Sequence, residues 1–124
     1  MKNLLKIFLL SLTFCILGCS VPRAISFPYL EAYTREEKKV KDVLFKITQS
    51  RAGSATVVDK NGRLNGIFTD GDLRRHLGID AGLPGRKIKD VMTKNPVTVG
   101  PGMLAAEAMR ILELRKIDEI PVVD

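Results

Sequence analysis

The tripeptide Val57-Val58-Asp59 returns 65 positions later as Val122-Val123-Asp124, and at that same offset, without a gap, Val40, Val43, Leu44 and Ile47 fall on Ala105, Ala108, Met109 and Leu112. Both quartets carry the i, i+3, i+4, i+7 spacing that puts apolar side chains on one face of a helix. The chain therefore holds two copies of a helix-then-strand unit. Single units of this kind bury their apolar faces against each other, and an α+β fold built on the pair is expected.

The surroundings of the first tripeptide are the most informative. Residues 55–58 are short, apolar and partly β-branched, Asn61-Gly62 is a dipeptide that tolerates positive φ in a type I′ turn, and residues 64–68 read as the returning strand of a hairpin. Thr69 and Asp72 follow, three apart where strand becomes helix. A hydroxyl and a carboxylate thus crowd the free N–H groups of a helix's first turn. Such an end attracts phosphate, and the carboxylate, which cannot itself favour a phosphate, can accept hydrogen bonds from a neutral diol such as a ribose. Gly66 and Gly71, having no side chain, keep the approach open. The same spacing also makes a capping box, Thr at N-cap and an acid at N3, which needs no ligand. Spacing alone leaves both readings standing.

Gly66-Ile67-Phe68-Thr69-Asp70-Gly71-Asp72 after this hairpin, followed by residues 87–99, a helix and Ile120-Pro121-Val122-Val123-Asp124, resembles a tandem pair of CBS domains, the adenosyl-ligand sensing module. More narrowly, residues 57–77 are similar to the regulatory tail of the arabinose-5-phosphate isomerase family. The similarity covers residues 37–124. It implies an α/β sandwich-like module in which Gly66, Ile67, Phe68, Thr69 and Asp72 form a nucleotide-binding element, with Thr69 at a phosphate and Asp72 at ribose hydroxyls. It further implies that this element faces the opening segment of the other repeat, which makes Thr93, Pro96 and Thr98 secondary contacts. The ligand implied is AMP, ATP or another nucleotide, with no cofactor.

On this reading residues 21–34 are a tether with a degenerate opening strand, 35–80 the first repeat, 81–95 a linker and 96–124 the second repeat. Thr34 with Glu37 reads as a capping box opening a helix to about Gln49. The helix after Thr69 is expected to set Leu73 and Leu77 on the core side and to stop at Gly78. His76, in its last turn, has no acid or nucleophile obviously paired with it. It is read as serving the terminal carbonyls and the helix dipole. Gly82, Pro84 and Gly85 mark the linker, which Ile88, Val91 and Met92 dock to the core. Pro96-Val97-Thr98-Val99 reads as the second opening strand, residues 103–116 as a helix and 119–124 as a last strand.

Residues 1–20 are set apart. Lys2 and Lys6 precede an apolar run from Ile7 to Leu17, and Ile16-Leu17-Gly18-Cys19 closes it, the form of a bacterial secretion signal whose ending resembles a lipobox. Cys19 would then carry lipid, although Leu17 departs from the small or β-branched residue usual there. An exported or membrane-anchored protein is expected. An uncleaved anchor, a buried core helix or a chance upstream fusion are the alternatives, and a leader without function would leave the protein cytoplasmic. Cys15 and Cys19 are the two cysteines, so the body has neither disulfide nor thiol ligand. Loss of Lys2 and Lys6 lowers the formal charge from +6 to +4, a mild balance. The clusters Arg74-Arg75 and Arg86-Lys87-Lys89 lack interleaved aromatics and read as solvated surface, with no nucleic-acid partner.

An offset of 65 from Gly66, Thr69 and Asp72 points past Asp124, so the second repeat is expected to be truncated before its returning strand and last helix. An unpaired edge at Val123 and an exposed apolar face are then expected, and with them homodimerisation or poor folding. The functional expectation is a non-catalytic, nucleotide-binding regulatory module. The alternatives are a relative of arabinose-5-phosphate isomerase without its catalytic domain, and a lipid-anchored interaction protein with no ligand.

Overall fold

The computed structural model describes residues 8–9 and 33–123. They form two compact units, Ala32–Val97 and a second that holds Thr98–Asp124 together with Phe8–Leu9. The leader's other residues, Cys15 and Cys19 among them, and the tether up to Ala32 lie outside the described residues.

The first unit is a mixed sheet of four strands, in the order β2 (Tyr33–Arg35), β3 (Ser54–Val58), β4 (Leu64–Thr69) and β5 (Thr93–Lys94), with β2 parallel to β3 and the other pairs antiparallel. Helix α1 (Val40–Ser50) connects β2 to β3, and α2 (Asp70–Leu77) leaves β4 directly. Val40, Val43 and Ile47 of α1 pack with Ala55, Val57 and Phe68 of the hairpin and with Leu83, Ile88, Val91 and Met92 of the linker. This matches the expected apolar stripe, with Leu44 packed at its border.

Three local readings are corrected. Thr34 opens no helix: it is the buried centre of β2, paired with Val57, and α1 begins at Val40 after an N-cap, Lys39, that makes no side-chain cap bond. The β-branched Thr34 is worth more to the parallel edge of β3 than to a cap. The Asn61-Gly62 turn is not type I′, because only Gly62 has positive φ, at 78°. Asp59 Oδ1 accepts from the Asn61 and Arg63 amides at 2.8 and 2.9 Å, and the Asp59 carbonyl accepts from Gly62 N–H at 3.1 Å. That is a type I turn finished by a left-handed glycine, the three-residue hairpin loop. Leu77 is 57% exposed; Leu73 alone of that pair meets the core.

The linker is tied to the start of α1. Val40 N–H donates to the Arg86 carbonyl at 2.9 Å and Ile88 N–H to the Lys38 carbonyl at 2.8 Å. Glu37 receives Lys87 and Lys89, each at 2.6 Å, and Arg86 pairs with Asp80 at 2.7 Å. The basic cluster of the linker is therefore spent on internal ion pairs. The two lysines hold the Glu37 carboxyl at about 2, below its ordinary 4.5. A carboxyl depressed by folding stabilises above its unfolded value and loses that contribution as pH falls through its folded value. Glu37→Gln is thus expected to remove part of the acid sensitivity between pH 4.5 and 2. Acid melts of both proteins should differ at pH 6 and converge near pH 2, with the gap narrowed in 1 M salt because these groups are exposed.

In the second unit α3 (Ala105–Arg115) is α1 displaced by 65, residue for residue. Each helix follows an extended residue, Lys39 or Leu104, and ends on a left-handed basic residue, Arg51 with φ 52° or Lys116 with φ 53°. Ala108 and Leu112 are buried and Met109 half-buried as expected, but Ala105 is exposed in the first turn. The last strand is shorter than expected, β6 (Pro121–Val122), and Val99 alone of the 96–99 segment bridges to it, in parallel. The expected free edge is also corrected. Antiparallel to β6 lies β1 (Phe8–Leu9), so both of its sides carry partners.

Candidate functional site

The junction of β4 and α2 places Thr69 at the N-cap in an extended conformation, φ −117°, ψ 169°. Its hydroxyl accepts from Asp72 N–H at 3.3 Å, and Asp72 Oδ2 accepts from Thr69 N–H at 3.0 Å and from the Thr69 hydroxyl at 3.1 Å. The capping box is therefore formed in full. Two partners reach the other oxygen: the Thr93 hydroxyl donates to Asp72 Oδ1 at 2.9 Å and Arg75 Nη1 at 3.1 Å. Asp72 is only 2% exposed, a buried charge that four donors satisfy. Oδ2 belongs to the cap; Oδ1 is held by side chains of exposed residues, Thr93 and Arg75.

The first turn of α2 also carries Asp70, and its last turn Arg74, Arg75 and His76. Acids at the start and cations at the end suit the helix dipole. Helix geometry leaves the Asp70 and Gly71 amides without an intrahelical acceptor, donors to solvent or a ligand. A phosphate there would meet two carboxylates as well as these amides. Arg75, whose guanidinium already lies at this end, supplies the opposing charge.

The other expected residues divide. Thr93 joins Asp72 directly. Pro96 is half-buried two residues past β5, Phe68 is fully buried in the core, and Ile67 is buried at 6% exposure outside that cluster, so both side chains serve packing. Thr98 is exposed and belongs to the second unit. Gly66 does not keep an approach open. A Cβ there would collide with Met92 Sδ and lie 2.8 Å from the Thr93 carbonyl oxygen, so the missing side chain admits β5 against β4. Gly71 is looser, its notional Cβ 3.4 Å from the Thr69 hydroxyl.

Two residues escaped the sequence reading. Arg75 is three positions past Asp72 and forms an ion pair with it, although the Arg74-Arg75 cluster on its own has the look of solvated surface. Ser54 is fully buried, its hydroxyl has no hydrogen-bond partner among the described residues, and it pairs with Thr69 across β3 and β4. Its signal in sequence was slight, a hydroxyl just ahead of an apolar strand. Among the described residues no group of three or more His, Cys, Asp or Glu could hold a metal ion, and no helix is long and apolar enough to cross a membrane.

Two helix-then-strand repeats, the first with its hairpin and the Thr69/Asp72 clasp, define an α+β repeat fold. A family model described as CBS domain matches residues 32–79 and 88–124. The chain belongs to the CBS domain family and carries a pair of these domains. Its sequence is similar to arabinose 5-phosphate isomerase KdsD of Yersinia pestis, 39% identical over 88 residues that make up 71% of this chain and 27% of that protein. The chain thus spans about a quarter of the length of the curated relatives it matches. A solved CBS-domain containing protein from Agrobacterium tumefaciens shares the fold, with a TM-score of 0.68 at 22% identity over 74% of this chain and 69% of that one. CBSX2, solved in complex with AMP, gives a TM-score of 0.62 at 26% identity over 74% and 72% of the two chains.

Proposed function

We propose that this chain is a regulatory module that binds a nucleotide at the N-terminus of α2, without catalysis of its own. The observation that carries the reading is Asp72, a buried carboxylate whose Oδ1 is held by Thr93 from another element and by the Arg75 guanidinium. A ribose diol offers the same two donors and can replace them at Oδ1 while Oδ2 keeps the cap. Arg75, released, then meets the phosphate beside the Asp70 and Gly71 amides, and Thr69 adds its hydroxyl. Buried Ile67 and Phe68 hold this end of β4 in place, and Thr93 and Pro96 contribute secondary contacts. Membership of the CBS family and the likeness to an AMP-bound relative support this ligand class.

The diol gives the reading its test. In calorimetric titrations with adenine and cytidine nucleotides, a ribonucleotide is expected to bind at least about tenfold more tightly than its 2′-deoxy counterpart, since a lost hydrogen bond to a charged group is worth about 1.5–3 kcal/mol. Equal affinities would remove Asp72 from the ribose.

The identity to KdsD favours a second reading of the same module, as the regulatory portion of a sugar-phosphate isomerase acting on a catalytic partner. Nucleotide-dependent modulation of such an isomerase on adding this chain would support it. Homodimerisation would use exposed apolar residues such as Phe45, Leu104 and Leu114, 69%, 68% and 78% exposed. Anchorage through a lipidated Cys19, or export, is read out by the mass of the mature N-terminus.

A further inference from the structure

Strands β3 and β4 send alternate side chains to opposite faces of the sheet. Ala55, Val57 and Phe68 go to the core with α1, so Ser54, Ile67 and Thr69 stand on the other face, and Thr93, opposite Ile67 on β5, stands with them. Three neighbouring strands thus each bring one hydroxyl, from Ser54, Thr69 and Thr93, to the face that Asp72 touches. Asp72 engages two of them, Thr69 through Oδ2 and Thr93 through Oδ1. The third is left over. Ser54 is fully buried, yet its hydroxyl has no hydrogen-bond partner among the described residues, a cost to the fold.

The register shows what recovers that cost. Ser54 is directly opposite Thr69 in the antiparallel ladder, where facing Cβ atoms lie about 4.5–5.5 Å apart and hydroxyl pairs bond across the strands. Thr69 Oγ1 accepts from Asp72 N–H at 3.3 Å and donates to Asp72 Oδ2 at 3.1 Å. A hydroxyl oxygen has two lone pairs, so a second acceptor position remains on Thr69. We infer that Ser54 is a positioning residue of the nucleotide site, which donates to Thr69 Oγ1 when the Thr69 proton turns from Asp72 to a phosphate. The inference rests on the reading that Thr69 meets a nucleotide phosphate at the start of α2. Once the phosphate takes that proton, Asp72 Oδ2 keeps the Thr69 amide at 3.0 Å. Turning the Thr69 O–H also swings its lone pairs, and a change of the Ser54 rotamer completes a chain from Ser54 through Thr69 to the phosphate. Hydroxyls in a chain polarise one another, so Thr69 becomes the stronger donor.

Calorimetric titration of AMP and of adenosine into the full chain and into Ser54→Ala, with urea melts of both proteins without nucleotide, tests this. The substitution deletes one buried oxygen and adds nothing. The urea midpoint is expected to stay or rise, because the deleted hydroxyl has no partner to lose, while AMP binding weakens by about three- to tenfold and adenosine, which has no phosphate, binds as before. A lowered midpoint or failure to fold would mean that the hydroxyl already serves another group. Unchanged AMP affinity would leave Ser54 idle, and an equal loss for AMP and adenosine would put it at the sugar or base. Each of these overturns the inference and leaves nucleotide binding at Asp72 standing. Where adenosine binds too weakly to measure, a Thr69→Val background decides. Ser54→Ala is expected to change AMP affinity there by less than about twofold, and a full repeat of the loss overturns the inference. No AMP binding by the folded wild type overturns the nucleotide reading itself, and this inference with it.

Discussion

Asp72→Ala is expected to abolish nucleotide binding and to lower the stability of the first unit by about 2–4 kcal/mol. The substitution removes the N3 side of the capping box, the bond from the Thr69 amide, worth about 0.5–2 kcal/mol, and strips the acceptor from the Thr93 hydroxyl, a partly buried donor whose loss of partner costs about 1–3 kcal/mol. Some of that is recovered as water enters beside exposed Thr93, which keeps the total near the middle of the range. Urea denaturation followed by circular dichroism measures the loss. A change within about 0.5 kcal/mol would mean that the four hydrogen bonds on Asp72 contribute little to the fold.

Gly66→Val is expected to be comparably damaging, by about 3 kcal/mol or more, through crowding rather than backbone strain. Even the first carbon of a side chain at this position would overlap Met92 Sδ and approach the Thr93 carbonyl oxygen to 2.8 Å. A flexible methionine can move; a strand oxygen cannot without opening the pairing of β4 with β5, where Gly66 faces Lys94 and Ile67 faces Thr93. Overpacking of this kind costs about 1–3 kcal/mol when neighbours can yield. Because Thr93 also donates to Asp72, the displaced strand takes one ligand-side contact with it. A urea midpoint close to wild type would show that β5 gives way easily, and a weakened nucleotide affinity in a protein still folded would show that Thr93 had moved.

These two substitutions also mark how far the sequence could be read. The Thr69/Asp72 clasp was legible because it is local: three residues, one turn, one hydroxyl and one carboxylate. The repeat was legible because the apolar stripe of α1 and α3 and the Val-Val-Asp strand recur at one offset, and the structure repeats even their left-handed ends at Arg51 and Lys116. What misled was local signal overruled from a distance. Thr34 and Glu37 have the spacing of a cap, but β3 takes the threonine into its sheet and Lys89, 52 residues away, takes the carboxylate. Gly66 looked like an opening for ligand because the residue that fills the space, Met92, lies 26 positions on. Asn61-Gly62 announced a turn correctly and its type incorrectly, since Asp59 favours type I by accepting from the Asn61 and Arg63 amides. Phe8–Leu9 as a strand had no local signal, because apolar runs suit leaders, helices and strands alike.

On the proposed reading, the two oxygens of Asp72 have different tasks. Its Oδ2 is engaged by one residue of its own turn, and its Oδ1 by two exposed side chains that a ligand can displace. Asp72→Asn separates the two roles. The amide keeps one oxygen to accept from Thr69 N–H, and its NH2 can donate to the Thr93 hydroxyl, but it offers no acceptor to a diol at that position. The most direct measurement is calorimetric titration of AMP into the full wild-type chain and into Asp72→Asn, each shown by thermal denaturation to be folded. Saturable binding to the wild type that weakens at least about tenfold in Asp72→Asn is the predicted result. No heat from folded wild type, or the same affinity in both proteins, would contradict it.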